Sequence, residues 1–135
     1  MKSKLEQLFA DAVAAGYTKP VLRTLNFKYK QAPAHGRNPG AIYITELDTS
    51  VYVGKIFDGA VQLISASNRD KILAEIYETV EHPQIAAVKF GHQTGQCSIC
   101  GRPLANKLSI ALGIGPICNE KFGWALPDDY YDDTL

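Results

Sequence analysis

The chain has 135 residues, of which 46% are hydrophobic and 21% are charged, and its formal net charge is zero. This length and composition suit one domain that buries a sizeable core without disulfide cross-links. The cysteine count is odd, and the sequence shows neither an apolar run of membrane length nor an N-terminal signal pattern. We therefore expect a cytoplasmic protein and exclude the disulfide-rich secreted and membrane-spanning classes.

The first helix and strand are predicted from residues 3–30. Ser3-Lys4-Leu5-Glu6 has the form of a capping box, and apolar residues follow one helical face until Gly16, which predicts a helix over residues 3–15. Residues 21–30 alternate apolar and polar side chains, which predicts one strand with basic groups on its open face.

Three strands and a helix are predicted after the Pro- and Gly-rich loop of residues 31–40. Residues 41–45 and 50–56 are β-rich runs that predict a hairpin, and the Asp58-Gly59 turn leads into a third strand over residues 60–64. A second helix, capped by Ser67 or Asn68, has an apolar stripe and ends at His82-Pro83.

These elements predict an α+β fold, a small antiparallel sheet with two main helices and a C-terminal zinc knuckle. We expect an α+β body at residues 1–90, a zinc-binding module packed on it at residues 91–125, and an acidic flexible tail at residues 126–135.

All three cysteines lie close together in the predicted module, at positions 97, 100 and 118. Two cysteines separated by two residues on a tight turn direct both thiolates at one ion, and Gly101 permits the positive φ that the turn needs. Pro116 suits the first position of a helix, which places Cys118 in its first turn, while Asn106 caps a short helix that ends at Gly113. The sequence therefore predicts a zinc site held by Cys97, Cys100 and Cys118.

His92 is the predicted fourth zinc ligand because it lies five residues before Cys97, with His35 and His82 as competitors. Two other interpretations of the cysteines explain the sequence less well. Buried free cysteines do not explain the clustering or the neighbouring glycines, and a redox Cys-x-x-Cys needs a βαβ context that these turn-rich flanks lack.

The cysteine segment resembles the signature of an uncharacterised zinc-binding domain family of bacteriophage and bacterial proteins. The residues that carry the resemblance are Gly95, Cys97, Cys100, Gly101, Arg102, Leu104 and Ser109, followed by Gly113-Ile114-Gly115-Pro116-x-Cys118. The stretches 37–43 and 52–56 also resemble segments found ahead of this motif in phage proteins. The resemblance implies a bound zinc ion and a phage-like origin, and it implies no reaction. For a phage-encoded protein, the expected location is the host bacterial cytoplasm.

The charges are unevenly distributed and suggest a polyanionic partner. Residues 1–37 hold seven basic and two acidic side chains, whereas the last eight residues hold four aspartates and no base. Basic residues interleaved with Phe27 and Tyr29 suit single-stranded nucleic acid, through phosphate neutralisation and base stacking. The predicted nucleic-acid-binding residues are Arg23, Lys28, Tyr29, Lys30, Arg37, Lys55, Arg102 and Lys107.

An alternative function is a protein-interaction module that binds a host polymerase, nuclease or defence protein, with the acidic tail as a contact for a replication or transcription protein. The sequence has no His-Glu-x-x-His motif, no Walker loop and no zinc-deaminase signature. We therefore expect a binding protein and not an enzyme.

Overall fold

A computed structural model describes residues 2–32, 36–64 and 69–124 of the chain. Within them the elements are α1 (Lys4–Ala14), β1 (Val21–Arg23), β2 (Phe27–Gln31), β3 (Ile42–Glu46), β4 (Tyr52–Phe57), β5 (Ala60–Leu63), α2 (Arg69–Glu81), α3 (Pro83–Thr94), α4 (Lys107–Leu112) and α5 (Pro116–Lys121). The expectations for His35, for a cap at Ser67 or Asn68 and for the tail 126–135 lie outside these ranges.

The five strands form one antiparallel sheet in the order β1-β2-β3-β4-β5, so each strand pairs with its neighbours in the chain. The predicted α+β class is confirmed. Asp58 and Gly59 both have positive φ, 51° and 84°, as the tight turn between β4 and β5 requires. No helix of the described ranges is long and apolar enough to cross a membrane.

The capping box of α1 also fastens this helix to the sheet. The Ser3 hydroxyl accepts from the Glu6 backbone N–H at 3.2 Å, and the Glu6 carboxylate accepts from the Ser3 N–H at 3.0 Å. The same buried carboxylate accepts from the backbone N–H groups of Asp58 at 2.8 Å and Gly59 at 2.7 Å. Glu6 therefore joins the start of the helix to the β4–β5 turn.

The prediction of one continuous strand over residues 21–30 is wrong, because the chain reverses between β1 and β2. The backbone N–H of Thr24 donates to the Phe27 carbonyl at 2.8 Å and closes the turn. The carboxylate of Glu75 in α2 accepts from the Thr24 hydroxyl at 2.7 Å and from the side-chain amide of Asn26 at 2.7 Å. A distant residue thus stabilises a turn that the alternation of residues 21–30 does not reveal.

A third main helix, α3, was not predicted. Pro83 was interpreted as the end of the second helix, but it is a first-turn residue of α3, where a missing N–H breaks no helical hydrogen bond. The predicted boundary between residues 90 and 91 falls inside this helix.

One hydrophobic core joins the sheet, the helices and the cysteine segment. The inward face of the sheet packs with α1 and α2, and Ile99, Leu104, Ile114 and Phe122 belong to the same cluster. The Phe122 ring stacks on the ring of Phe9 in α1, with centroids 5.8 Å apart. The cysteine segment is therefore fixed against the body by shared packing.

Candidate metal centre and basic sheet face

The first two cysteines lie on a tight hairpin that follows α3. The Gly101 N–H donates to the Cys97 carbonyl at 2.8 Å, and the Cys97 N–H donates to the Arg102 carbonyl at 2.9 Å. Gly101 has a φ of 75°, so the predicted need for glycine after the second cysteine is confirmed. This turn brings Cys97 and Cys100 to the same side of the hairpin.

The third cysteine is carried by α5 and is positioned by the two short helices. The Asn106 side chain accepts from the Ser109 N–H at 2.7 Å and caps α4, which ends at Gly113 with a φ of 82°. Pro116 begins α5, so Cys118 lies in its first turn, as predicted. The loop between the helices returns Cys118 to the hairpin.

The three cysteines form a group that can hold a metal ion, since their sulfur atoms all lie within 4.8 Å of one another. Cys97 and Cys118 are buried, and Cys100 is exposed. A hydrogen bond from Cys118, with further ones from backbone N–H groups, lowers the pKa of the Cys97 thiol to about 5. Its hydrogen bond to Cys97 and its burial raise the pKa of Cys118. The site therefore favours a thiolate at Cys97 before any ion is bound.

The backbone of α3 lies close to the backbone of the α4–α5 loop. A Cβ atom placed on Gly91 would lie 1.8 Å from the carbonyl oxygen of Gly113. Only glycine at position 91 allows this contact, which brings the loop before Cys118 against the helix before Cys97.

His92 does not belong to the group that the structure brings together. Its Nε2 lies 2.8 Å from the Ala111 carbonyl oxygen, a contact that links α3 to the end of α4. Within the described ranges, only the three cysteines form such a group.

Arg23 fastens the cysteine hairpin to the edge of the sheet. Its backbone N–H donates to the Ser98 carbonyl at 2.9 Å, and its guanidinium Nη1 donates to the carbonyls of Ile99 at 2.8 Å and Ser98 at 3.3 Å. All of these acceptors lie between Cys97 and Cys100. Sequence analysis placed Arg23 among the nucleic-acid-binding residues and missed this contact, because no local pattern indicates it.

A cavity of about 560 Å³ opens beside the sulfur atoms. All three cysteines line it, together with the cationic side chains of Arg102 and Lys121. The Lys121 ammonium also lies 4.8 Å from the centre of the Tyr17 ring. The candidate metal ligands and two cationic side chains therefore line the same cavity.

The outward face of the sheet collects basic and aromatic side chains. Lys30 pairs with Tyr43 and Tyr43 with Lys55, while Lys28 pairs with Thr45 and Thr45 with Tyr52. Directly opposed residues share one face of a sheet, and so do residues two apart in a strand. We call Lys28, Lys30, Tyr43, Tyr52 and Lys55 the basic face.

These side chains are half-buried to exposed and lie close to one another. The rings of Tyr43 and Tyr52 meet edge to face with centroids 5.9 Å apart. Burial, together with the positive charges of Arg23 and Lys30, lowers the pKa of Lys28. The face thus concentrates positive charge around an aromatic pair.

The prediction that Phe27 and Tyr29 stack on bases is wrong. Tyr29 is fully buried and Phe27 is 5% exposed, because both point into the core from the inward side of β2. Two residues missed by sequence analysis, Tyr43 and Tyr52, are the aromatic members of the outward face. Side chains alternate between the two faces of a strand, so Tyr43, which lies between the apolar Ile42 and Ile44, could have been predicted to point outward.

The remaining predicted basic residues lie apart from those cross-strand pairs. Arg37 is exposed in the loop before β3, Lys107 is exposed at the start of α4, and Arg102 is exposed beside the cysteines.

Among the comparisons with known proteins, only the one with family models gives a match, and this match covers the cysteine segment. Residues 87–123 match the model of a family of unknown function (DUF6011), and this stretch holds all three cysteines. Neither the curated proteins nor the solved structures include a significant match. The family description assigns no role, so the phage origin stays a prediction.

Proposed function

We propose that this protein is a zinc-binding domain that binds single-stranded nucleic acid on its basic face. The observation that carries the proposal is the cross-strand arrangement of Lys28, Lys30 and Lys55 around Tyr43 and Tyr52. In this proposal the zinc ion stabilises the cysteine segment, and the basic face binds the nucleic acid.

The donor set of the cysteine group fits zinc. Zn–S bonds of about 2.3 Å in a tetrahedral site imply sulfur atoms about 3.8 Å apart, and the three sulfurs lie within 4.8 Å of one another. Three thiolate donors favour zinc over magnesium or calcium, which prefer oxygen. Bound zinc would hold the hairpin to α5 and contribute folding free energy to residues 95–123.

The chemistry of the basic face fits a single-stranded polyanion. Lysine side chains neutralise phosphates and release counterions, and exposed aromatic rings stack on unpaired bases without reading their sequence. The cross-strand pairs that form the face contain no carboxylate. Tyr52 is 39% exposed, which leaves its ring accessible to a base.

The test is fluorescence anisotropy with a labelled thymidine oligonucleotide, run with the full chain over a series of salt concentrations. We expect log Kd to rise linearly with log salt, with a slope of about 0.7 per phosphate contact. Lys30→Ala with Lys55→Ala should lower that slope, whereas Lys71→Ala, in exposed α2, should leave it unchanged.

Absence of binding even at low ionic strength would refute the proposal. An equal loss in Lys71→Ala would also refute it, because the contacts would then not be specific to the basic face. Binding of a host protein without nucleic acid would favour the protein-interaction module instead.

A further inference from the structure

The cavity beside the cysteines supports a second inference, which rests on the proposed metal binding and is independent of nucleic acid. Cys97, Cys100 and Cys118 all line this cavity of about 560 Å³, and their sulfur atoms lie within 4.8 Å of one another. Its other lining residues include Arg102, Asn106, Ser109 and Lys121, and the lining contains no histidine and no carboxylate among the described residues.

Three sulfur donors leave one position of a tetrahedral zinc ion for another ligand. A zinc ion with four protein donors has no position left for a ligand, whereas an ion with three protein donors can hold its protein segment together and keep one position open. The nearest histidine in sequence, His92, directs Nε2 at the Ala111 carbonyl. The open position would therefore face the cavity that the three cysteines line.

The charges around the cavity favour an anionic fourth ligand. Zinc with three thiolates carries one net negative charge. The cationic side chains of Arg102 and Lys121 line the cavity and more than neutralise this charge. Arg102 is exposed, and its planar guanidinium matches the two oxygens of a carboxylate. Carboxylate oxygen is also the anionic oxygen ligand that zinc takes in proteins.

We infer that this cavity is a ligand site, in which a carboxylate from another molecule occupies the fourth position of the metal and pairs with Arg102. The ligand class is a small carboxylic acid or the carboxylate of a partner protein, and the two share the same donor group.

Cobalt substituted into the full-length protein gives the test, because its absorption spectrum reports both the sulfur ligands and the fourth donor. Thiolate-to-cobalt charge-transfer bands measure metal binding by themselves. Acetate should then shift the d–d bands saturably, while acetamide, its neutral counterpart, should not. Arg102→Gln should weaken the acetate response about tenfold, as loss of a charge-assisted hydrogen bond predicts. Lys107→Gln, an exposed cation outside the cavity, is the matched control.

Charge-transfer bands without any response to acetate would overturn the inference and leave the metal site intact. The inference also fails if His92→Ala alters the cobalt spectrum, because the chain itself would then supply the fourth donor. The same holds for a full-length variant that combines Asp128→Asn, Asp129→Asn, Asp132→Asn and Asp133→Asn. A partner carboxylate is distinguished from a free acid by repeating the titration with a peptide whose only carboxylate is its C-terminus. Tighter binding of the peptide than of acetate indicates a partner protein, and equal binding indicates a free acid.

Discussion

Arg23 and Ser98 exchange hydrogen bonds that join the sheet edge to the cysteine hairpin. The Arg23 backbone N–H donates to the carbonyl and hydroxyl oxygens of Ser98, at 2.9 and 3.1 Å, and the Ser98 hydroxyl donates to the Arg23 carbonyl. Ser98 is fully buried between two proposed zinc ligands. The edge strand β1 is thus covered by the hairpin, which also blunts a sheet edge open to aggregation.

Ser98→Ala should lower the free energy of unfolding by about 1–3 kcal/mol, because the Arg23 carbonyl, in a part-buried contact, loses the hydroxyl that donates to it. Urea denaturation followed by circular dichroism measures the change. Gln62→Ala, an exposed substitution in β5, is the control and should change stability by less than about 0.5 kcal/mol. Equal stabilities of the two variants would show that the contact contributes nothing.

Removing the metal should unfold residues 95–123 and leave most of the sheet protected. The proposed zinc ion would link the hairpin to α5, whereas β2, β3 and β4 are held by their own ladders and core. Hydrogen exchange before and after chelation measures this, and Cys100→Ser should reproduce the chelated pattern. Exchange that is unchanged by chelation would contradict a structural ion.

Gly91→Ala should destabilise the protein even though alanine is the better helix former. The added methyl would lie 1.8 Å from a backbone oxygen of Gly113, which cannot rotate away. We expect a loss of about 1–3 kcal/mol or more, which exceeds the gain of about 1 kcal/mol from helix propensity. Gln93→Ala, exposed in the same helix, should be close to neutral in the same denaturation experiment.

Tyr43→Ala and Tyr52→Ala should each weaken binding of single-stranded DNA about tenfold, since a stacked base contributes about 1–3 kcal/mol. Anisotropy at fixed salt measures the loss. Tyr29→Phe should bind as the unaltered protein does, because Tyr29 is buried on the other side of the sheet. If all three variants bind equally well, the aromatic pair has no role in binding.

Sequence patterns predicted the elements whose cause is local. The capping box at Ser3, the Asp58-Gly59 turn and the Asn106 cap each depend on residues within a few positions, and all three are confirmed. The cysteine group was predictable for a similar reason, because ligand spacing and a required glycine leave a recognisable signature.

Features determined by distant contacts were not predictable. The turn between β1 and β2 depends on Glu75, which is 49 positions from Asn26. The contact of His92 with the Ala111 carbonyl depends on where α4 ends against α3, so the sequence did not reveal it. The outward position of Tyr52 depends on the register shift between β3 and β4, which the sequence does not reveal.

The metal content of the full-length protein, purified under reducing conditions, tests the central claim most directly. Native mass spectrometry with elemental analysis should find one zinc ion per chain, and Cys97→Ser, Cys100→Ser and Cys118→Ser should each lose it. Protein with three reduced cysteines that carries no stoichiometric zinc, and takes up none when zinc is added, would contradict the claim.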